Sequence, residues 1–132
     1  MKRLLLALGV FVLSAVMAPP SVPGAGQEEW VLINRDEGGN LLYVDGGSMV
    51  RLPDDIVKVR MKFLTAGEAP PMLFVDEVDC ARDMIRRLEV SIFDPKGSGQ
   101  GEPAYRLSFE GRWDKVSEGL EEILRDYVCG KN

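Results

Sequence analysis

The chain has 132 residues with 16 basic and 21 acidic side chains, a net charge of −5, and no histidine. That charge argues against nonspecific nucleic-acid binding, which needs a basic footprint, and the missing histidine removes the commonest general base and zinc ligand. The length allows one domain with one core, and the 45 % hydrophobic content argues against disorder.

Lys2 and Arg3 precede an apolar run from Leu4 to Ala18, after which come Pro19, Pro20 and Pro23. A charged start, a short apolar stretch and small residues beyond it make the pattern of a secretory signal peptide. The run is short for a bilayer crossing, which needs roughly 20 apolar residues. Cleavage is expected after Gly26 or, alternatively, after Ala18. Residues 1–26 are thus read as a cleaved leader and residues 27–132 as the mature domain. No cysteine lies near either cleavage point, so no lipid anchor is expected, nor stable membrane insertion after cleavage.

Trp30 to Asn34 reads as a first strand, and Asp36-Glu37-Gly38-Gly39-Asn40 as the turn of a hairpin returning through Leu41 to Val44. Asp45-Gly46-Gly47-Ser48 breaks that strand. Met49 to Leu52 forms a short extended piece ended by Pro53. From Ile56 to Leu64 the alternation is regular, with Val57, Val59, Met61 and Phe63 on one face and Lys58, Arg60 and Lys62 on the other. Pro70-Pro71 ends a loop, and Met72 to Val78 reads as a further strand running into Cys80. Arg82 to Phe93 reads as extended, with a bulge expected near Met84 and Ile85. Gly97, Gly99 and Gly101 mark a connection, and Tyr105, Leu107 and Phe109 alternate in a last strand before Trp113.

The C-terminus is helical in pattern. Ser117 is the expected N-cap, Glu118, Glu121 and Glu122 favour the positive end of the helix dipole, and Gly130 ends the helix. Leu120, Ile123, Leu124, Tyr127 and Val128 form one apolar stripe. Strands followed by one amphipathic helix predict an α+β domain, an antiparallel sheet covered on one face by the C-terminal helix. In an exported protein two cysteines pair by default, which predicts a single Cys80–Cys129 disulfide.

Chemistry is sparse. Bridged cysteines supply no thiolate, and no Ser-x-x-Lys pattern suggests a lysine base. Asp76, Glu77 and Asp79 could act as paired acids only by facing one another across a cleft. The spacing from Asn34 to Asp45 resembles a calcium loop, but strands flank it and a hairpin turn accounts for the same residues. No enzyme, metal site or cofactor is expected. The distinctive feature is cationic: Lys58, Arg60 and Lys62 share a strand face, and Arg82, Arg86 and Arg87 follow on a later strand. On neighbouring strands these would form a positive patch for anionic groups; the plainer expectation is a solvated face paired with nearby acids.

These elements in order resemble the surface-adhesin protein E-like domain family. Trp30, Leu42-Tyr43-Val44-Asp45 before Ser48, the strand Val57-Lys58-Val59-Arg60-Met61-Lys62, and Val78-Asp79-Cys80 carry the likeness. Trp113 and the closing Tyr127-Val128-Cys129 complete it, so that it spans Trp30 to Cys129. The resemblance implies an exported bacterial protein of the periplasm or cell surface with a sheet-and-helix fold. It also implies a non-catalytic binding module, since the namesake is an adhesin for host matrix and serum proteins. Extracellular or envelope proteins are then the expected partners. This chain departs from the namesake in having no lipoprotein cysteine. A small periplasmic enzyme or enzyme accessory protein is the alternative reading.

Overall fold

A computed structural model describes residues 28–94 and 102–131. The expected leader and the Gly97–Gly101 connection lie outside the described residues. Eight strands form one sheet: β1 (Trp30–Arg35), β2 (Leu41–Asp45), β3 (Val50–Leu52), β4 (Ile56–Leu64), β5 (Met72–Asp79), β6 (Met84–Ile92), β7 (Tyr105–Ser108) and β8 (Asp114–Lys115). Helix α1 (Leu120–Cys129) follows. The strand order is β1-β2-β4-β5-β6-β7, every pair antiparallel, as expected for an α+β chain of hairpins.

Both sides of the sheet are interrupted. β2 pairs with Met61 to Leu64 of β4, whereas β3 pairs with Ile56 to Lys58. On the other side β7 pairs with Glu89 to Ile92 of β6, whereas β8 pairs with Met84 and Ile85. Arg60 therefore falls between β2 and β3, and Arg86 to Leu88 between β8 and β7. The long central strands β4, β5 and β6 carry the register across both gaps.

The alternation read in β4 appears as burial: Val57, Val59 and Met61 are buried and Lys58 is exposed. These valines, with Leu42, Val44, Val78 and Ile85, share one buried cluster with Leu124 and Val128 of α1. Burying a side chain of this size contributes about 1.5–3 kcal/mol to stability. The helical stripe is narrower than expected, because Leu120 remains 41 % exposed. Ser117 is not the N-cap; Gly119 holds that position, and Ser117 gives its N–H and hydroxyl to the Glu121 carboxylate at 2.8 and 2.7 Å. Gly130 ends the helix in the left-handed region, where its N–H reaches the Asp126 carbonyl. Beside it the Cys80–Cys129 disulfide is formed, its Cα atoms 5.6 Å apart.

Two local expectations differ from the structure. Residues 80–83 are a turn rather than strand, with Asp83 at φ 59°, and β6 starts at Met84. The bulge lies further along, where Val75 pairs with Glu89 but Asp76 with Arg87, so that Leu88 is the extra residue. Past that point the alternation of β6 changes phase.

Candidate functional site

The face opposite the buried cluster carries Tyr43 and Asp45 from β2, Lys58, Arg60 and Lys62 from β4, and Val75 and Glu77 from β5. Arg86 joins them from β6. The two groups of cations predicted from sequence are not on adjacent strands. β5 lies between them, and in one cross-strand row Lys58 pairs with Glu77, which pairs with Arg86.

Arg60 is held in place. Its guanidinium donates to Glu28 at 2.7 Å and to Asp45 at 2.8 Å. Asp45 is only 1 % exposed, and its other oxygen accepts the N–H groups of Glu29 and Gly47 at 2.9 and 3.2 Å. Burial pushes the Asp45 carboxyl up, but the Glu29 N–H, Ser48 and Arg60 outweigh it and leave its pKa below the ordinary value. Asp79 repeats the arrangement at the end of β5. Its carboxylate accepts the N–H groups of Ala81 and Arg82 at 3.1 and 2.9 Å and the Arg82 side chain at 2.6 Å. Burial raises this group too, and the Arg82 contacts bring its pKa down below the ordinary value. Each aspartate thus ends a strand, closes the following turn and holds an arginine.

Two tryptophans stack on these cations. Trp30 lies 5.3 Å from the Arg60 guanidinium and 4.4 Å from the Lys62 ammonium, which also sits 5.2 Å from the Tyr43 ring. Trp113 covers Arg86 at 4.6 Å and Arg82 at 5.8 Å. Such contacts contribute about 0.5–1 kcal/mol each at exposed sites and orient the cation without neutralising it. Gly111 lets the Trp113 segment pass over β6: a Cβ there would meet Leu88 at 3.1 Å and the Arg87 carbonyl at 3.3 Å.

The ion pairs divide the six predicted cations. Arg86 is paired with Glu77 at 2.6 Å, Arg82 with Asp79, and Arg60 with Glu28 and Asp45. Arg87 alternates with Arg86, and the bulge at Leu88 takes it off the face of Glu89, so that it lies on the face of Phe74 and the buried Asp76. There it donates to Asp76 at 3.0 and 3.1 Å and stacks on Phe74 at 4.4 Å. Arg87 therefore stands apart from the other five. Burial raises the Asp76 pKa, Arg87 pulls it down in part, and the charge of Glu121 adds to the rise. Lys58 and Lys62 have no carboxylate partner within ion-pair distance, among the described residues, because Glu77, Asp45 and Glu28 are engaged elsewhere.

Sequence reasoning missed the acids that hold the arginines and the tryptophans that stack on them. Asp45 before Gly46-Gly47-Ser48 is a turn-capping pattern, a signal that pointed to a satisfied carboxylate. The three acids before Cys80 do not converge as a catalytic pair, since Asp76, Glu77 and Asp79 are each joined to a different arginine. At the first hairpin Asp36 accepts the N–H and side-chain amide of Asn40, as a turn residue does. No helix among the described residues is long and apolar enough to cross a membrane.

No family model and no curated protein matches the chain. Among solved structures, Haemophilus influenzae protein E is similar, with a TM-score of 0.53 and 15 % sequence identity. The alignment covers 87 % of this chain and 95 % of that one. At this identity the likeness is one of fold, and it agrees at that level with the resemblance read from the sequence.

Proposed function

We propose that this chain is an exported, non-catalytic binding module of a bacterial cell envelope, in the periplasm or at the cell surface. In this reading α1 covers one face of the sheet and the opposite face meets a protein partner. One observation carries it: Lys58 and Lys62 stand on that face with no carboxylate within ion-pair distance among the described residues, in an acidic protein whose arginines there are all paired. Keeping two cations unneutralised, one of them, Lys62, held against the Trp30 and Tyr43 rings, suits contact with an anionic surface. The disulfide supports an oxidising compartment, and the leader-like N-terminus supports export. The shared fold with an adhesin supports binding in a general way. Three acids each tied to an arginine support a non-catalytic role.

The test is fractionation of cells expressing the full chain, with N-terminal sequencing of the envelope fraction, then a pull-down on extracellular and envelope proteins. The reading expects a new terminus near Gln27 or Pro19 and a partner retained by wild type but not by the Lys58→Glu, Lys62→Glu double variant. An intact Met1 terminus in the cytoplasm contradicts export. Equal retention by both proteins contradicts the assigned face. Arg60 is left unchanged, because a carboxylate there would lie against the buried Asp45.

A further inference from the structure

The open face contains a groove of about 410 Å³, near the low end of ligand-binding clefts. Val50, Val75 and Leu88 give it apolar walls, and Lys58 and Arg60 line it from β4. The β6 bulge makes this lining. With Leu88 as the extra residue, Leu88 and Glu89 both border the groove where regular alternation would send one of them to the other face. Glu89 stands two strands from β4, roughly 10 Å at strand spacing. Its carboxylate is already engaged, by the Ser91 hydroxyl at 3.2 Å and by Arg106 at 3.5 Å. The β4 side is the reverse: Arg60 is committed to its acids, and Lys58 has no partner among the described residues. The groove thus offers one uncompensated cation next to three apolar side chains.

We propose that this groove takes an acidic residue and the apolar residue two positions along from it in an extended segment of a partner polypeptide, the carboxylate on Lys58 and the apolar side chain against Val75 and Leu88. The inference rests on the binding-face reading and narrows it to a ligand chemistry. Charge complementarity selects the carboxylate. The short apolar lining, bounded by the Glu89–Arg106 pair, selects a peptide over a lipid, since an acyl chain crossing it would strip water from that ion pair and return no polar contact. A peptide can instead offer a backbone N–H to Glu89.

The test titrates acetyl-Glu-Ser-Leu-amide, whose first and third side chains share one face when extended, into the ¹⁵N-labelled, disulfide-bonded protein and follows amide shifts. The neutral analogue acetyl-Gln-Ser-Leu-amide and phosphatidylglycerol vesicles are parallel arms. Expected are saturating shifts centred on Lys58, Val75 and Leu88, and affinity about fivefold lower for the Gln peptide, as an exposed ion pair of up to about 1 kcal/mol gives. Lys58→Gln should lose the same factor and Lys62→Gln should not. Equal affinity for the two peptides, shifts centred elsewhere, or Lys58-dependent binding of vesicles but not peptide overturns the proposal. If Lys62 governs retention of a partner while the peptides miss the groove, the groove assignment falls and the binding face stands.

Discussion

Breaking the Cys80–Cys129 bridge should destabilise the domain severely, by an amount the chain geometry sets. The bridge spans a sequence separation of 49 residues, enclosing β6, β7, β8 and α1. Loop-closure entropy for a ring of that size is about 4 kcal/mol at 25 °C, on the view that disulfides act mainly on the unfolded chain. Its position adds to the effect. Cys129 is the last residue of a 10-residue helix, too short to persist alone, whose neighbour Val128 is 1 % exposed in the core. After reduction the helix keeps the core packing of Leu124 and Val128, but near Cys129 only the Arg51 contact to the Val128 carbonyl and, further back, the Arg125–Asp83 pair add to it, both partly exposed and weak. For a domain near 100 residues, about 4 kcal/mol corresponds to a fall in Tm of roughly 15–30 °C. Circular dichroism melts of oxidised protein, reduced protein and the Cys80→Ser, Cys129→Ser variant measure it, with helical signal lost early in the bridge-free forms. A fall under about 5 °C would refute the reasoning, because neither loop entropy nor helix anchoring would then be acting.

Further outcomes follow from the core and its buried acids. Leu124→Ala should cost about 2–5 kcal/mol in denaturant unfolding, since Leu124 is 1 % exposed, whereas Leu120→Ala should cost less than about 1 kcal/mol. Comparable costs would mean that the helix is rotated from the position described. The Asp45 pKa is lowered from 3.8 in the folded state, so its stabilisation is present above that pH and lost as pH falls through the folded value. Unfolding titrations of Asp45→Asn should therefore show a flatter loss of stability below pH 4 than wild type. Asp76 has the opposite sign: its folded pKa is raised above 3.8, so the native state takes up that proton first and gains stability as pH falls towards 3.8. Asp76→Asn should lose that gain and show a steeper acid decline, and parallel curves for both variants would contradict these assignments.

The parts legible in the sequence are those governed by local periodicity. Val57, Val59 and Met61 alternating with Lys58, Arg60 and Lys62 gave both the strand and its inward face, because a nine-residue run has only one consistent pleat. The Leu124–Val128 stripe and the cysteine pair were legible for similar reasons of spacing and compartment. The bulge was not. Regular alternation would put Arg87 and Glu89 on one face, and nothing in Arg-Arg-Leu-Glu says that Leu88 is an extra residue that separates them; that depends on β5 pairing Asp76 with Arg87 and Val75 with Glu89. The ion pairs of Arg60 were equally hidden, since Glu28 and Asp45 lie 32 and 15 residues away and meet it only through the β1–β2–β4 register. The six cations thus separate into four arginines paired with acids, as the plainer expectation had it, and two lysines without a carboxylate partner among the described residues.

Charge reversal at those two lysines tests the binding face most directly. Affinity of the recovered partner for wild type and for Lys58→Glu, Lys62→Glu would be measured by calorimetry at low and physiological salt, with a melt of each protein as the control for folding. The account predicts an affinity for wild type that weakens as salt shortens the Debye length to about 8 Å, and at least about a tenfold loss in a variant whose Tm is within a few degrees of wild type. Equal, salt-independent affinities in two folded proteins would show that the face opposite the core is a solvated sheet surface and that the partner binds elsewhere.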